Sequence, residues 1–281
     1  PALQEIVHPS QTGFIPGRWI GTNIESVQNA IDEGGKYKGA LAFLDFEKAY
    51  DRVDHSYLKA VLKACGFGPK FQNFVVSTTT RTTAKVLVNG WLSAGFPVQR
   101  GGRQGSPLAP SIFTLCLEPL LAMMRVCMAG LRYPGLPAFQ TTIPHLITSA
   151  FADDVAVGLA NPRDLQRMGE AVDLYEKASG SKVSKGKSFI YGIGKVLSER
   201  EWPDWPIQTE PFRYLGVQVG RNCDTKQVWS ALLAKTKHRM RTIPMYDLPL
   251  AARCCIINIY CYSKVLYLDQ FMPAPDEAMV E

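Results

Sequence analysis

The sequence has few of the features that mark a disulfide-rich, zinc-binding or membrane-spanning protein. Its seven cysteines are odd in number and form no C-x-x-C pair, which argues against a disulfide framework and against a zinc ribbon. No run reaches about 18 uninterrupted apolar residues, because the most apolar stretch, residues 112–129, contains Glu118 and Arg125. We therefore expect a buried helix there, in an intracellular protein that has no membrane partner.

Low-complexity tracts, internal repeats and a linker rich in Gly or Pro are also lacking. With 281 residues, of which 46% are apolar and 20% charged, the chain is long enough to bury a sizeable core, and the composition excludes wholesale disorder. The net charge of +6 is a mild indication of an anionic partner. The chain begins at Pro1 without an initiator Met, so we expect it to be a segment of a longer protein.

Short apolar runs and helical periodicities alternate irregularly along the chain. Residues 41–44 predict a buried strand, residues 146–159 an apolar hairpin, and residues 165–178 an amphipathic helix. From Lys226 onward the pattern is helical and basic. This arrangement favours an α+β fold with an antiparallel sheet over a doubly wound fold.

Two further helices are indicated by their end signals. Asp54 is placed to cap a helix whose apolar positions recur at helical spacing until Gly66 ends it. Pro107 is predicted as the first residue of a long apolar helix that Pro119 would kink.

Three carboxylates occupy positions where a charge is costly. Asp45 ends an apolar strand, and Asp153 and Asp154 lie at the tip of an apolar hairpin, so each needs a positive neighbour. Mg²⁺ prefers one or two carboxylates together with phosphate oxygens and water, and a pair of such ions supports in-line displacement at phosphorus. The alternative to a metal site is that Asp153 and Asp154 form a solvent-exposed turn and that Asp45 caps a helix.

Basic and aromatic residues accompany these acids. Residues 99–108 form a glycine-rich basic loop that leads into the N-terminus of a helix, a geometry that receives phosphate, although a plain loop has the same pattern. Tyr50 follows Asp45 by five residues and could equally be a core aromatic. Five lysines lie in a stretch without acids, residues 177–198, which could also be a solvated surface.

Five short motifs follow one another along the chain. They are Q-T-G-F with the following G-R (11–18), A-F-L-D-F-E-K-A-Y-D (42–51), R-Q-G-S-P-L (103–108), F-A-D-D (151–154) and F-R-Y-L-G (212–216). An F-A-D-D tetrapeptide alone is weak evidence, whereas five motifs in this order are specific. Together they resemble the reverse transcriptase domain of non-LTR (LINE-type) retrotransposons over roughly residues 8 to 225.

The resemblance implies a right-hand polymerase fold, with an antiparallel-sheet palm that carries helices on one face. Residues 1–40 would be partial fingers, and residues 41–225 the palm with an interleaved fingers segment at about 67–105. Residues 226–281 would begin a helical thumb, whose basic side chains follow a duplex through its backbone phosphates. The fingers motif that contacts the triphosphate in this family would lie upstream of Pro1, so we expect this stretch alone to polymerise poorly.

The resemblance also implies a metal centre. Asp45 and Asp153 would be the two main ligands of Mg²⁺, with Asp154 as the third carboxylate and the backbone carbonyl of Phe46 as a further ligand. Two Mg²⁺ ions would be bound, with Mn²⁺ as an alternative cation.

The remaining roles implied by the resemblance concern the substrates. Tyr50 would be the steric gate that excludes a ribose 2′-hydroxyl, and Lys187 would protonate the pyrophosphate leaving group. The residues that contact the incoming nucleotide and the template would be Arg103, Gln104 and Gly105. The residues that grip the primer end would be Phe212, Arg213, Tyr214, Leu215 and Gly216.

The function implied is that of an RNA-directed DNA polymerase core acting on an RNA template, a DNA primer and dNTPs, in the nucleus. One alternative is a catalytically silent nucleic-acid-binding module with the same fold. Another is a group II intron maturase or a telomerase-type polymerase, which residues 11–18 and 49–51 match less well. The intact set of Asp45, Tyr50, Gln104, Asp153 and Asp154 favours the enzyme.

Overall fold

In a computed structural model of the protein, the described residues are 2–33, 39–80, 82–102, 105–132, 145–193, 205–243 and 248–276. By their packing these residues divide into two compact units, one within Pro1–Thr209 and the other within Glu210–Glu281. The predicted palm, fingers and thumb boundaries stay predictions.

The first unit is built around a sheet of short apolar strands. The described strands of this unit, including those outside the sheet, are β1 (Gly39–Leu44), β2 (Thr83–Ala84), β3 (Leu87–Val88), β4 (Trp91–Leu92), β5 (Phe96–Pro97), β6 (Leu131–Arg132), β7 (His145–Leu146), β8 (Thr148–Phe151), β9 (Asp154–Leu159), β10 (Phe189–Ile193) and β11 (Ile207–Gln208). Five of them form one sheet in the order β11-β10-β1-β9-β8. All its pairings are antiparallel except the edge pair β10–β11, so the expected antiparallel sheet is confirmed, with one parallel edge.

The helices of the first unit begin and end at recognisable signals. They are α1 (Ala2–Ile6), α2 (Gly21–Glu33), α3 (Ala49–Arg52), α4 (His55–Ala64), α5 (Pro69–Thr80), α6 (Ala109–Cys127) and α7 (Pro162–Ser179). As predicted, the Asp54 carboxylate caps α4 by accepting the N–H of Ser56 at 2.7 Å. Asn161 caps α7, and Gly180 ends it in the left-handed conformation with φ 71°.

The main core lies between the sheet and the helices α4, α6 and α7. Alternate residues of β1, namely Ala40, Ala42 and Leu44, belong to this core, as the period of two along a strand requires. Within the described ranges α6 is the one helix long and apolar enough to cross a membrane by length and composition. Eight of its side chains are buried in the fold, which agrees with the expected core helix.

The start of α6 differs from the prediction. The helix begins at Ala109 and not at Pro107, because the Ala109 N–H is bonded at 3.1 Å to the carbonyl of Ser106 and closes a separate turn first. Pro110, and not Pro107, occupies the first helical turn, where a missing N–H costs nothing.

The second unit consists of a hairpin and helices. Its elements are β12 (Phe212–Tyr214), β13 (Val217–Val219), α8 (Thr225–Thr242), α9 (Leu250–Ile257), the π-helical turn Asn258–Tyr262 and α10 (Ser263–Asp269). Trp229 on α8 is buried, and its indole N–H donates to the Met272 carbonyl at 3.1 Å. This bond ties the predicted basic helix to the end of the described chain.

Candidate active site

The pairing of β1 with β9 brings the predicted carboxylates to one edge of the sheet. Leu44, the last residue of β1, faces Val155 on the antiparallel strand β9. Asp45 directly follows β1, and Asp154 is the first residue of β9, so the two residues lie side by side. Asp153 belongs to the two-residue loop between β8 and β9, because Phe151 pairs with Asp154.

The tip of this hairpin differs from the prediction by one residue. The loop consists of Ala152 and Asp153, whereas Asp154 already belongs to β9. Ala152 has a φ of 55°, in the left-handed region that residues with a Cβ seldom adopt. A strained residue of this kind persists only where its surroundings hold it, so the contacts of Ala152 identify what fixes the acids in place.

Gln11 is the residue that holds the strained turn. Its side chain is fully buried, and its Oε1 accepts the backbone N–H groups of Ala152 and Gly13, each at 2.9 Å. Its Nε2 donates to the Ala152 carbonyl at 3.1 Å. Gly13 is required beside it, because a Cβ at this position would lie 2.2 Å from the Ala152 nitrogen. Gln11 therefore positions the loop that carries Asp153.

Sequence reasoning included Gln11 in a family motif but assigned it no role. The signal available in the sequence was a Gln two residues before a Gly, which is too common to identify a turn brace without the structure. A second brace was also missed: the Asn23 amide on α2 donates to the Ser149 hydroxyl at 2.9 Å and to the Ala150 carbonyl at 3.0 Å.

We expect Gln11→Ala to lower the free energy of unfolding by about 3 kcal/mol, because it leaves buried backbone groups of Ala152 and Gly13 without partners. Urea denaturation of the whole chain measures this change. Gln28→Ala is the matched control, since the Gln28 amide donates to Asp32 on the exposed side of α2 and its loss should cost less than about 0.5 kcal/mol. Equal losses for the two variants would contradict the role of Gln11.

Two of the three carboxylates, Asp153 and Asp154, lie in an environment that disfavours their charge. Partial burial, and then the charges of Asp153 and Asp45, raise the pKa of Asp154 to about 6. Burial, followed by the charge of Asp45, also raises the pKa of Asp153. The Oδ2 atom of Asp45 is buried and accepts no hydrogen bond, and Lys187 Nζ lies 3.7 Å from it. A cation bound among these oxygens would reduce the repulsion between the carboxylates and would give the Asp45 Oδ2 atom a partner.

The donor set fits Mg²⁺, although it is not arranged as a finished binding site. Within the described ranges, no group of three or more His, Cys, Asp or Glu side chains is placed to hold a metal ion as it stands. Mg²⁺ in nucleotide-binding sites usually takes one or two carboxylates, and water and substrate phosphates supply the other oxygens. The acids at this edge are therefore suited to a cation that arrives with its phosphate ligand.

The backbone at Phe46 is also compatible with its predicted role. Phe46 forms an isolated antiparallel bridge with Val183, and the bonds of this bridge involve its neighbours: Glu47 N–H donates to the Lys182 carbonyl, and the Asp45 carbonyl accepts the Ser184 N–H. In such a pair the carbonyl of the central residue points away from the bridging segment. The Phe46 carbonyl is therefore left for another partner.

Lys187 lies beside Asp45 on the segment that leads into β10. The Ser188 hydroxyl accepts the Asp45 N–H at 3.0 Å, which fixes this segment to the end of β1. The Lys187 side chain is 74% exposed, and its charge lies close to Asp45. This position suits the predicted proton donor, whose role stays a prediction.

Tyr50 lies on the wall of a cleft of about 600 Å³ that Phe46, Gly105 and Asp153 also line. Its ring is half-buried against Phe113, with the ring centroids 4.8 Å apart. Burial, and then the charges of Asp153 and Asp154, raise the pKa of Tyr50 to about 12, so the phenol is neutral at physiological pH. The Tyr50 ring thus lies in the same cleft as Asp153, and its role as a gate stays a prediction.

The glycine-rich loop packs against the turn that carries Tyr50. The Gly102 N–H donates to the Tyr50 carbonyl at 3.0 Å, and the Gly101 N–H to the Val53 carbonyl at 2.8 Å. A Cβ at Gly101 would lie 2.5 Å from the Cα of Asp51, so glycine is needed for this approach. Of the predicted nucleotide contacts, Gly105 lines the cleft, whereas Arg103 and Gln104 lie outside the described residues.

The predicted primer grip belongs to the second unit. Phe212, Arg213 and Tyr214 form β12, and Leu215 and Gly216 form the turn to β13. Both turn residues have positive φ values, 47° and 89°, as the favoured two-residue hairpin turn requires. The Tyr267 hydroxyl donates to the Leu215 carbonyl at 2.6 Å and braces this turn.

Comparison with known protein families gives one extensive match. Residues 1–219 match the family described as reverse transcriptase (RNA-dependent DNA polymerase). A 149 kDa protein of transposon TX1 from Xenopus laevis is 33% identical over 222 residues, which are 77% of this chain and 16% of that protein. The retrovirus-related Pol polyprotein of the type-2 retrotransposable element R2DM from Drosophila melanogaster is 28% identical over 190 residues, 66% of this chain and 17% of that polyprotein. The chain thus spans about a sixth of the length of these relatives.

Two solved telomerase structures have a similar fold. A telomerase from Candida tropicalis in complex with the TWJ fragment of telomeric RNA has a TM-score of 0.51 at 12% identity, over 80% of this chain and 38% of that one. An apo telomerase from the same organism, truncated from its C-terminal domain, has a TM-score of 0.53 at 13% identity, over 78% of this chain and 42% of that one. At these identities the likeness concerns the fold alone, and it confirms the expected right-hand polymerase architecture.

Proposed function

The chain belongs to the reverse transcriptase (RNA-dependent DNA polymerase) family, and from this premise we propose that it is an RNA-directed DNA polymerase core. It adds deoxynucleotides from dNTPs to the 3′-hydroxyl of a DNA primer paired with an RNA template. The primer oxygen forms a new bond to the α-phosphorus, and the bond from that phosphorus to the bridging oxygen of pyrophosphate breaks. The nuclear location stays part of this proposal.

One observation carries the proposal: the β1–β9 and β8–β9 pairings bring Asp45, Asp153 and Asp154 to one edge of the sheet, and Asp153 lines a cleft together with Tyr50. These carboxylates and the Phe46 carbonyl would hold divalent cations, which would lower the pKa of the primer hydroxyl and neutralise charge on the phosphates. The silent module that shares the fold has no need of this constellation.

The other residues of the site act on the substrates. Tyr50 leaves no room for a 2′-hydroxyl and so selects deoxyribose. The ammonium of Lys187 donates a proton to the departing pyrophosphate, where negative charge develops as the bond breaks. Gln11 keeps the loop that carries Asp153 in place throughout. An RNA template is bound through shape, phosphates and 2′-hydroxyls, so little base specificity is expected.

Primer extension tests the proposal. The chain is incubated in excess over a labelled DNA primer annealed to an RNA template, with dNTPs and Mg²⁺, and in parallel with EDTA. We expect slow, incomplete extension with Mg²⁺, because the fingers motif implied upstream of Pro1 is not in this chain, and no extension with EDTA. If the duplex binds with a steep salt dependence but is not extended in either reaction, the chain is the silent nucleic-acid-binding module.

A further inference from the structure

One basic side chain on the wall of the cleft has no role in the proposed reaction. Lys48 lines the cleft together with Tyr50, Gly105 and Asp153, and it is exposed. Among the described residues that line this cleft, Lys48 is the one Lys or Arg. Two acids, Asp51 and Asp153, also line the cleft, and Lys48 supplies the positive charge among its described lining residues.

Among the described residues Lys48 has no carboxylate partner, in contrast to Arg52 and Lys182. Arg52 Nη1 and Lys182 Nζ lie 3.1 Å and 3.9 Å from the carboxylate of Glu47. Within the described part of the chain, no ion pair involves Lys48 Nζ. The ammonium is therefore available to an anionic ligand in the cleft, with no ion pair to break.

The backbone at Lys48 is unfavourable for this residue. Lys48 has φ 47° and ψ 52°, the left-handed conformation, in which glycine or asparagine is preferred. It directly precedes α3, the short helix that carries Tyr50. Glycine or asparagine would adopt this conformation at lower cost, so a lysine held in it at a cleft wall indicates a function for the side chain.

We propose that Lys48 binds the terminal phosphates of the incoming nucleoside triphosphate. This inference rests on the proposed function and assigns the phosphate-binding residue that it leaves open. A triphosphate carries several negative charges, and a compact ammonium on a flexible stem is suited to contacting them as a point charge. The position of Lys48 between Phe46 and Tyr50 on the chain places it on the same wall as the gate. The sugar and the phosphates of one nucleotide are thereby contacted by two residues, Tyr50 and Lys48, that are separated by one position in the chain.

A phosphate of the template or primer backbone would present the same chemistry. These two phosphate ligands predict different changes in affinity when the Lys48 side chain is replaced. A triphosphate ligand predicts weaker nucleotide binding at unchanged duplex affinity, whereas a backbone ligand predicts the reverse.

The experiment compares Lys48→Asn, Lys48→Arg and Lys182→Asn with the unaltered chain. Asparagine tolerates the left-handed backbone, so the first variant removes the charge without new strain. Lys182→Asn removes a nearby cation that pairs with Glu47 and does not line the cleft. The duplex is an RNA template with a DNA primer ended by a dideoxynucleotide, which prevents chemistry. Titrations then give the Kd of the next dNTP, of the corresponding dNDP, and of the duplex.

For Lys48→Asn we expect the Kd of the dNTP to rise about tenfold, the usual scale for one charge-assisted contact, and that of the dNDP to rise less. Lys48→Arg and Lys182→Asn should stay within about threefold of the unaltered chain, and all duplex affinities should be unchanged. Unchanged dNTP binding by Lys48→Asn, or a weakened duplex in its place, would overturn the inference. If the unaltered chain binds duplex but no dNTP, the proposed function itself fails.

Discussion

Replacing Asp153 with asparagine is expected to slow nucleotide addition by about 10³-fold or more, because the variant keeps the shape of the side chain but removes the charge from the centre of the site. The measurement is a single-turnover rate of one dNTP addition on an RNA template with Mg²⁺. Asp173→Asn is the matched control, since Asp173 is exposed on α7, and its rate should equal that of the unaltered chain.

The stability of Asp153→Asn separates this result from a folding defect. Burial and the charge of Asp45 raise the pKa of Asp153, which means that its ionised form is disfavoured in the folded protein. Removing that charge should leave the free energy of unfolding unchanged or raise it when no metal is present. A variant that is slow because it is unfolded would show the opposite change in urea denaturation.

Tyr50→Ala is expected to reduce discrimination against ribonucleotides by about 10- to 100-fold. Forcing extra atoms into a packed site costs about 1–3 kcal/mol, and each 1.4 kcal/mol corresponds to about a tenfold ratio. The measured quantity is the ratio of kcat/KM for a dNTP to that for the matching rNTP. Because both values come from one variant, a general loss of activity or stability cancels.

Tyr50→Phe is the control for the gate. The ring packs against Phe113 and its phenol stays neutral, so the ring and not the hydroxyl should exclude the 2′-oxygen. We expect Tyr50→Phe to discriminate as well as the unaltered chain. If Tyr50→Ala retains full discrimination as well, Tyr50 is not the gate.

The positions of the acids could be predicted because strand signals are local. The apolar run before Asp45 and the two apolar arms around Asp153 and Asp154 predict a strand end and a hairpin; β1, β8 and β9 confirm both, with the hairpin tip one residue earlier than predicted. That the two features share one sheet edge depends on strand order, which links residues more than a hundred positions apart. Only the family resemblance placed them together before the structure did.

The residues that hold the site in place could not be predicted from the sequence, because their roles depend on backbone conformations that the residue types do not indicate. Ala152 and Lys48 both have positive φ values, although neither residue type favours them. Gln11 is recognisable as a brace only once Ala152 lies next to it. The start of α6 was misplaced for a similar reason, since Pro107 and Pro110 carry equal helix-initiation signals and the turn at Ser106 decides between them.

The central claim, that the acids at the β1–β9 edge form a divalent cation site, is tested most directly by Mn²⁺ binding. The sample is the complex of the chain with dideoxy-ended primer, RNA template and the next dNTP, and titration calorimetry measures the affinity. We predict that Asp153→Asn weakens Mn²⁺ binding by at least about tenfold, while Asp173→Asn leaves it unchanged. Equal Mn²⁺ affinity in all three proteins would contradict the account.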